Sequence, residues 1–484
     1  MLTGEEISHA EGKHNYLVIW RGYSTFLFAS LLLIIIGLCT ILTPPFQVPD
    51  TPVHFMKAAS LSYGGLVPVI SSKQAGYPLP ESISQFVVLF TKIPFHIAVK
   101  ATYGEFSSAL HLSWAAPKVF TAFTSASFDP PFLYLPDILG IWTGRLFGFS
   151  ILTTYYLAEL VSSVFCAVLL SFSFALSKTR ARILIATLSF LPMSVSLFGS
   201  VSRDALLLPL TVLAFVLASR PMEPTARPSW RNWITRLVPT LLILPVAMTK
   251  PPYVFLLLAI GLLSYAKNRR ILNIVANLAP FLLGVVVTGL WYVFSSSSLS
   301  TTMSDIPGIS PSRQLHLIFA QPFSFLITIV RTIRFERDFY FHSTIGTLGW
   351  LDTSLPNWTF VVMGLFLVWS VSLLIFGIDR RAPFLIVFTR VIAAFILGFI
   401  GTEAALYVTS TGFKGPIVLG VQGRYFLPLI PLFLLLPQRD FRFLPKIENA
   451  EKYVVWLSCL YLVGFAALSA FATAGALIPR FWLN

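Results

Sequence analysis

The chain has 484 residues, of which 56% are hydrophobic and only 11% charged, with a formal net charge of +14. Soluble domains average about 25% charged residues. So few polar groups cannot clothe a water-soluble globule, and intrinsic disorder, a coiled coil and a soluble multidomain enzyme are excluded. Long apolar runs, rather than short alternating segments, leave an all-α polytopic membrane protein.

The chain opens with a short polar segment, 1–23, carrying Lys13 and Arg21 beside Glu5, Glu6 and Glu11. The first apolar run, 24–43, is longer than a signal-peptide core, and no small-residue cleavage site follows it. Further spans are expected at 149–176, 183–201, 205–219, 237–249, 252–266, 273–297, 357–378, 384–411, 425–437 and 453–476, which makes about eleven in all. Short loops rich in Lys and Arg follow alternate spans. They hold Lys178, Arg180 and Arg182, then Arg220, Arg227, Arg231 and Arg236, then Lys267, Arg269 and Arg270, then Arg380 and Arg381, and last Arg439, Arg442, Lys446 and Lys452. These loops and the N-terminus are assigned to the cytoplasm. The basic excess is then mostly topology, and nucleic acid is not an expected partner. A membrane domain is expected over 24–436, followed by a cytoplasmic loop and the last span within 437–484.

Two outer segments are long, 44–148 and 298–356, and long ordered loops are usually functional. In 84–103, Lys92, His96 and Lys100 recur every four residues among apolar side chains. That spacing predicts an interfacial helix, kinked at Pro94. A similar helix is expected over 321–338, with Arg331 and Arg334 on one side. Cys39, Cys166 and Cys459 all lie in apolar runs and read as small core residues. No Walker loop, dinucleotide fingerprint, His-Glu-x-x-His or Cys-x-x-Cys occurs. No metal centre is expected from seven scattered His.

Polar motifs cluster at the outer ends of the spans. Asp50 follows span one within Pro44-Pro45-Phe46-Gln47-Val48-Pro49-Asp50, with His54 one helical turn on. It is placed to cap the next helix, to act as a base or to bind a cation. Phe128-Asp129-Pro130-Pro131 starts a helix on which Tyr134 and Asp137 share a face. Arg203-Asp204, Lys250-Pro251-Pro252-Tyr253, Gly349-Trp350-Leu351-Asp352 and Gln422-Gly423-Arg424-Tyr425 mark four further boundaries. Any one such charge can simply anchor a helix at the headgroups. Together, their cations suit a lipid phosphate. Glu159, Arg390 and Glu403 fall inside spans, where ionisable groups favour the protein interior.

These motifs, in this order over about 40–436, resemble a family of bacterial inner-membrane proteins carrying a domain of unknown function. That family is similar to the GT-C superfamily of polytopic glycosyltransferases. The resemblance implies a GT-C-like fold and a polyprenyl-phosphate sugar as donor. The acceptor would be a cell-envelope glycan or lipid, and the site would face the periplasm or exterior. Asp50 then stands at the position of the catalytic acid. Lys250, Arg203 and Arg424, backed by Lys57 and Arg331, would bind the donor phosphate. His54, Tyr134, Asp137, Asp204, Trp350, Asp352, Gln422 and Tyr425 would line the substrate. Thr51 stands where many relatives carry a second acid. This weakens a divalent metal as cofactor and leaves the base role of Asp50 open. The alternative expectation is a lipid-linked-glycan transporter or a non-catalytic envelope assembly factor.

Overall fold

The computed structural model describes residues 4–220, 230–260, 270–296, 308–379, 384–438 and 450–483. Helix α1 (Gly4–Leu42) leads into the first long inter-helix segment, 44–148, which the Pro44-Pro45 pair turns away from the helix axis. That segment holds α2 (Thr51–Ser62), β1 (Val69–Ser71), β2 (Gln74–Pro80), α3 (Glu81–Phe90), α4 (Tyr103–Leu110), β3 (Lys118–Ala122), α5 (Thr124–Ser127), a 3-10 turn (Pro131–Tyr134) and α6 (Leu135–Leu146). Then come α7 (Ile151–Leu176), α8 (Thr179–Phe190), α9 (Pro192–Phe198), a 3-10 turn (Arg203–Leu206), α10 (Leu207–Ala218) and α11 (Trp230–Thr249). A 3-10 turn (Pro251–Phe255), α12 (Leu256–Ile260), α13 (Arg270–Phe294), α14 (Pro311–Ala320) and α15 (Pro322–Ile345) follow. The chain closes with α16 (Asn357–Phe376), α17 (Phe384–Thr409), a 3-10 segment (Gly423–Leu435) and α18 (Ala450–Phe481).

Among the described residues, six helices are long and apolar enough to cross a membrane: Gly22–Leu42, α7, Asn277–Phe294, α16, Val387–Thr409 and Trp456–Phe481. Two bent pairs, α8–α9 at 70° and α14–α15 at 107°, raise this to eight if each is one span. The expected eleven is not reached, because prolines divide the other apolar runs. α10 has 12 residues, about 18 Å of helix against about 30 Å of hydrocarbon. Pro251 and Pro252 separate α11 from α12, and Pro428 and Pro431 lie inside the 3-10 segment. α10 and Gly423–Leu435 pack inside the bundle, while 261–266 of the expected span 252–266 lie outside the described residues. α10 is buried along nearly its whole length against α7, α11 and Gly423–Leu435.

The expected all-α architecture also needs correction. β1, β2 and β3 form an antiparallel sheet, with Val69 opposite Gly76 and Tyr77 opposite Thr121. Ser72 and Lys73, both at positive φ, make the two-residue turn between β1 and β2. A Cβ on Gly76 would run into the Thr121 backbone, so strand pairing there requires glycine. The helix expected over 84–103 ends at Phe90. Beyond it the chain turns around Pro94 and Phe95, whose φ is 63°, and no cationic stripe forms. Lys92 instead binds Glu105 at 2.6 Å, and Lys100 Nζ donates to the carbonyls of Pro479 and Arg480 at the end of α18. The helix expected over 321–338 is present and continues to Ile345.

An aromatic cluster fixes the first outer segment to the bundle. Phe46, Phe55 and Phe86 pack around Tyr155 of α7, with ring centroids 4.9, 5.2 and 5.6 Å from the tyrosine ring. The Phe46 N–H also donates to Tyr155 Oη at 3.3 Å. Edge-on aromatic contacts of this kind contribute roughly 0.5–1.5 kcal/mol each beyond their buried area. They hold the start of α2, and so Asp50, at the N-terminal end of α7. α6 lies tight on α7, because Gly140 and Gly144 leave no side chain between it and Ala158 and Thr154. Cys39, Cys166 and Cys459 are all free thiols. Glu159 and Glu403 are buried, and Glu403 accepts from Tyr340 Oη at 3.0 Å. The loop cations Arg227, Lys267, Arg269, Arg380, Arg381, Arg439, Arg442 and Lys446 lie outside the described residues.

Candidate functional site

Asp50 occupies the N-cap position of α2, yet its side chain makes no capping hydrogen bond. Its backbone is left-handed, φ 64° and ψ 0°, a conformation that costs a non-glycine residue roughly 1–2 kcal/mol. The carboxylate is 55% exposed, and Oδ2 lies 3.7 Å from Arg424 Nη2. The capping role is therefore not taken. Strain of this kind persists where the surrounding structure imposes it, and it gathers at functional sites.

Arg424 is brought in by its neighbour. A Cβ on Gly423 would collide with the Tyr340 carbonyl and Thr344, so only glycine lets this segment lie against α15. The Gly423 N–H donates to Ser343 Oγ at 2.8 Å. The Arg424 side chain is 3% exposed, and its Nε has no hydrogen-bond partner. An incompletely satisfied buried guanidinium is a group prepared for an anion.

Behind Arg424 lies Asp204, on the turn that Ser202 caps by accepting the Asp204 N–H. Its carboxylate oxygens are 2.8 and 2.9 Å from Lys250 Nζ. Burial works against the Asp204 charge, but Lys250, Arg424 and Arg203 outweigh it and hold the carboxyl below its usual range. Burial pulls Lys250 down to about 8, with Asp204 opposing. Lys250 also lies 4.2 Å from the centre of the Tyr425 ring, while Tyr253 Oη donates to the Tyr425 carbonyl at 2.8 Å.

Arg203 continues the network through an ion pair from Nη1 to Asp129 Oδ1. Tyr134 Oη donates to Asp129 Oδ2 at 2.8 Å, and His54 Nδ1 is 2.6 Å from Tyr134 Oη. Burial, reinforced by Arg203, holds His54 well below its ordinary pKa, so the ring is neutral at pH 7. Lys57 Nζ donates to the Ser127 carbonyl at 2.9 Å, and burial brings this lysine to about 8 while Asp129 opposes. Trp291 of α13 donates to the Phe128 carbonyl and fixes the strand of chain that carries Asp129.

Asp50, His54, Lys57, Tyr134, Arg203, Asp204, Lys250, Arg424 and Tyr425 thus meet in one network, drawn from five separate stretches of sequence. Asp129 is its most buried acid and was not among the expected site residues. The signal was an acid directly before Pro130-Pro131 and five residues before Tyr134. Gln422 adjoins, with a buried Oε1 that has no partner.

Three expected residues do other work, and a fourth lies apart. Asp352 Oδ2 accepts from Arg480 Nη2 at 2.8 Å and from the Phe95 N–H at 2.9 Å, clamping the outer segments to the end of α18. Trp350 Nε1 donates to the Phe46 carbonyl at 2.8 Å and packs on Phe95. Asp137 is buried where α6 meets α7, and neither carboxyl oxygen has a hydrogen-bond partner. Burial raises its pKa well above the ordinary carboxylate value. Arg331 is exposed on α15.

The residues present do not fit a divalent metal. Thr51 is buried and donates to the Val48 carbonyl at 2.6 Å, and the charge nearest Asp50 is a cation. Among the described residues, no three His, Cys, Asp or Glu come together. Beside the charged network, a small cavity lined by Leu197, Leu207, Leu427 and Pro428 opens against Asp204 and Arg424. The site therefore juxtaposes an exposed carboxylate and buried cations. Such a set can remove a proton from a hydroxyl and neutralise an anionic group.

No curated protein and no solved structure matches the chain. The family model described as a predicted membrane protein, DUF2142, matches residues 32–433, which takes in α2, the Asp129 segment, Arg203, Lys250 and Arg424. The chain is a multi-pass membrane protein of the DUF2142 family.

Proposed function

We propose that the chain is a GT-C-type inverting glycosyltransferase of the bacterial inner membrane, with its site on the outer face. The donor would be a polyprenyl-phosphate sugar, and the acceptor a hydroxyl of a cell-envelope glycan or lipid. The observation that carries this reading is the pairing of exposed, strained Asp50 with buried, partly unsatisfied Arg424.

Asp50 takes the proton of the acceptor hydroxyl as that oxygen forms a bond to the anomeric carbon. The bond from that carbon to the phosphate oxygen breaks, and its electron pair leaves with the polyprenyl phosphate. The configuration at carbon inverts, because attack and departure lie on opposite faces. Charge grows on the leaving phosphate, where Arg424 and Lys250 supply a preorganised positive field. Arg203 is turned to Asp129 and holds the cluster together.

The test is transfer from a radiolabelled polyprenyl-phosphate hexose to an envelope-lipid extract by the protein in nanodiscs. The reading expects a product with inverted anomeric configuration, and loss of donor binding in Arg424→Gln. Tight donor binding without any product across a panel of donors and acceptors would favour the transporter or assembly-factor reading instead.

A further inference from the structure

The chain Arg203–Asp129–Tyr134–His54 settles the direction of each hydrogen bond within it. Asp129 Oδ1 is bound by the guanidinium, so the carboxylate is an anionic acceptor. The single proton of Tyr134 Oη is given to Asp129 Oδ2. Tyr134 Oη has no second proton for His54, so at 2.6 Å it accepts from Nδ1–H. The neutral ring then carries its proton on Nδ1 and leaves Nε2 bare. His54 Nε2 makes no hydrogen bond among the described residues. His54 sits on α2 one turn after Asp50.

We propose that His54 Nε2 is a fixed hydrogen-bond acceptor that recognises one donor hydroxyl of the sugar substrate, with Tyr134 and Asp129 as the residues that set its tautomer. The proposal rests on the reading of the site as one for a hydroxyl-bearing substrate, and it deepens that reading. A proton-carrying role does not fit. Asp50 and Lys57 on α2, Tyr134, Asp129 and Asp137 beside it, and Arg203, Asp204, Lys250 and Arg424 beyond are the titratable and charged groups on the surrounding elements. Burial and the cations among them oppose an imidazolium. A site that must accept a hydroxyl proton discriminates strongly against a substrate lacking that hydroxyl, because its buried acceptor is left unpaired.

The test is 15N NMR of the detergent-solubilised full chain labelled at histidine nitrogens, with His54→Gln used to assign the signal. The expected spectrum has a protonated Nδ1 and a bare Nε2, unchanged from pH 5.5 to 8. In Tyr134→Phe the two tautomers mix. A proton found on Nε2, or a ring titrating near its ordinary value, would overturn the proposal whether or not the protein transfers sugar. Should transfer be observed with the polyprenyl-phosphate hexose, His54→Phe raises KM about 10-fold or more with kcat less affected, and His54→Gln, which keeps an acceptor at the Nε2 position, recovers most of it. Equal KM in His54→Phe and the parent would also overturn it.

Discussion

Arg203 and Asp129 form an ion pair across 74 residues of sequence, and the carboxylate has no access to water. The pair ties the outer segment before α6 to the turn before α10. Removing Asp129 leaves Arg203, 21% exposed, with Asp204 at 4.0 Å as its remaining carboxylate. Asp129→Asn is therefore expected to destabilise the protein by about 1–3 kcal/mol. The double variant Asp129→Leu/Arg203→Met is expected to recover much of that loss. Thermal unfolding in detergent, followed by tryptophan fluorescence, measures both. Equal stability of Asp129→Asn and the parent would show that the pair is not formed.

Lys250, held at about 8 by burial, gives the site an alkaline limit. Between about 8 and its ordinary value the folded state binds fewer protons at this lysine than the unfolded state does. Its contribution to stability therefore rises with pH across that window. Its contribution to phosphate binding runs the other way and is lost as the charge disappears. Affinity for a polyprenyl-phosphate hexose is expected to fall above about pH 8, and Lys250→Arg is expected to move the fall beyond pH 9. Asp204 acts at the acid end. Its depressed carboxyl contributes stability above the ordinary carboxylate range, and this is lost as pH falls through its folded value. Acid unfolding of Asp204→Asn should accordingly be shallower than that of the parent.

Gly423 sets the position of Arg424, since any Cβ there meets the Tyr340 carbonyl. Gly423→Ala is expected to cost about 1–3 kcal/mol and to weaken donor binding by displacing the guanidinium. Gly464→Ala is the control, because nothing lies within 4 Å of a Cβ at that position. Thermal shift and equilibrium binding on the two variants distinguish a local displacement from general intolerance of alanine.

Asp352 belongs to the clamp at Arg480 and Phe95 rather than to the charged network. Asp352→Asn should open residues 91–102 to limited proteolysis and lower the unfolding temperature, with donor affinity unchanged within about twofold. A selective loss of donor binding with normal protease resistance would return Asp352 to the substrate site.

Much of this arrangement is legible in the amino-acid order. Asp50, Lys250 and Arg424 each stand beside a proline or glycine, and Arg203 and Asp204 follow Ser202, all at the ends of apolar runs, where a helix must stop and a charge can reach the boundary. The partners of those charges are not legible. Nothing local says that Arg203 meets Asp129 rather than lipid phosphate, or that Lys250 chooses Asp204, because both contacts are made by tertiary packing. Apolar runs such as 205–219 and 425–437 resemble spans in composition. Their prolines and neighbours turn them into short buried elements, so the count of crossings falls. The β-sheet escaped because β1 is three residues long and β2 carries two prolines. The stripe of Lys92, His96 and Lys100 had helical spacing, but Pro94 ended the helix before it could form.

The central claim is that Asp50 is the proton-accepting group in sugar transfer, and Asp50→Asn tests it most directly. The variant keeps the size of the side chain and removes its basicity. In nanodiscs with polyprenyl-phosphate hexose and envelope acceptor, transfer should fall about 100-fold or more while donor binding persists. Transfer by Asp50→Asn at the parental rate would contradict the account.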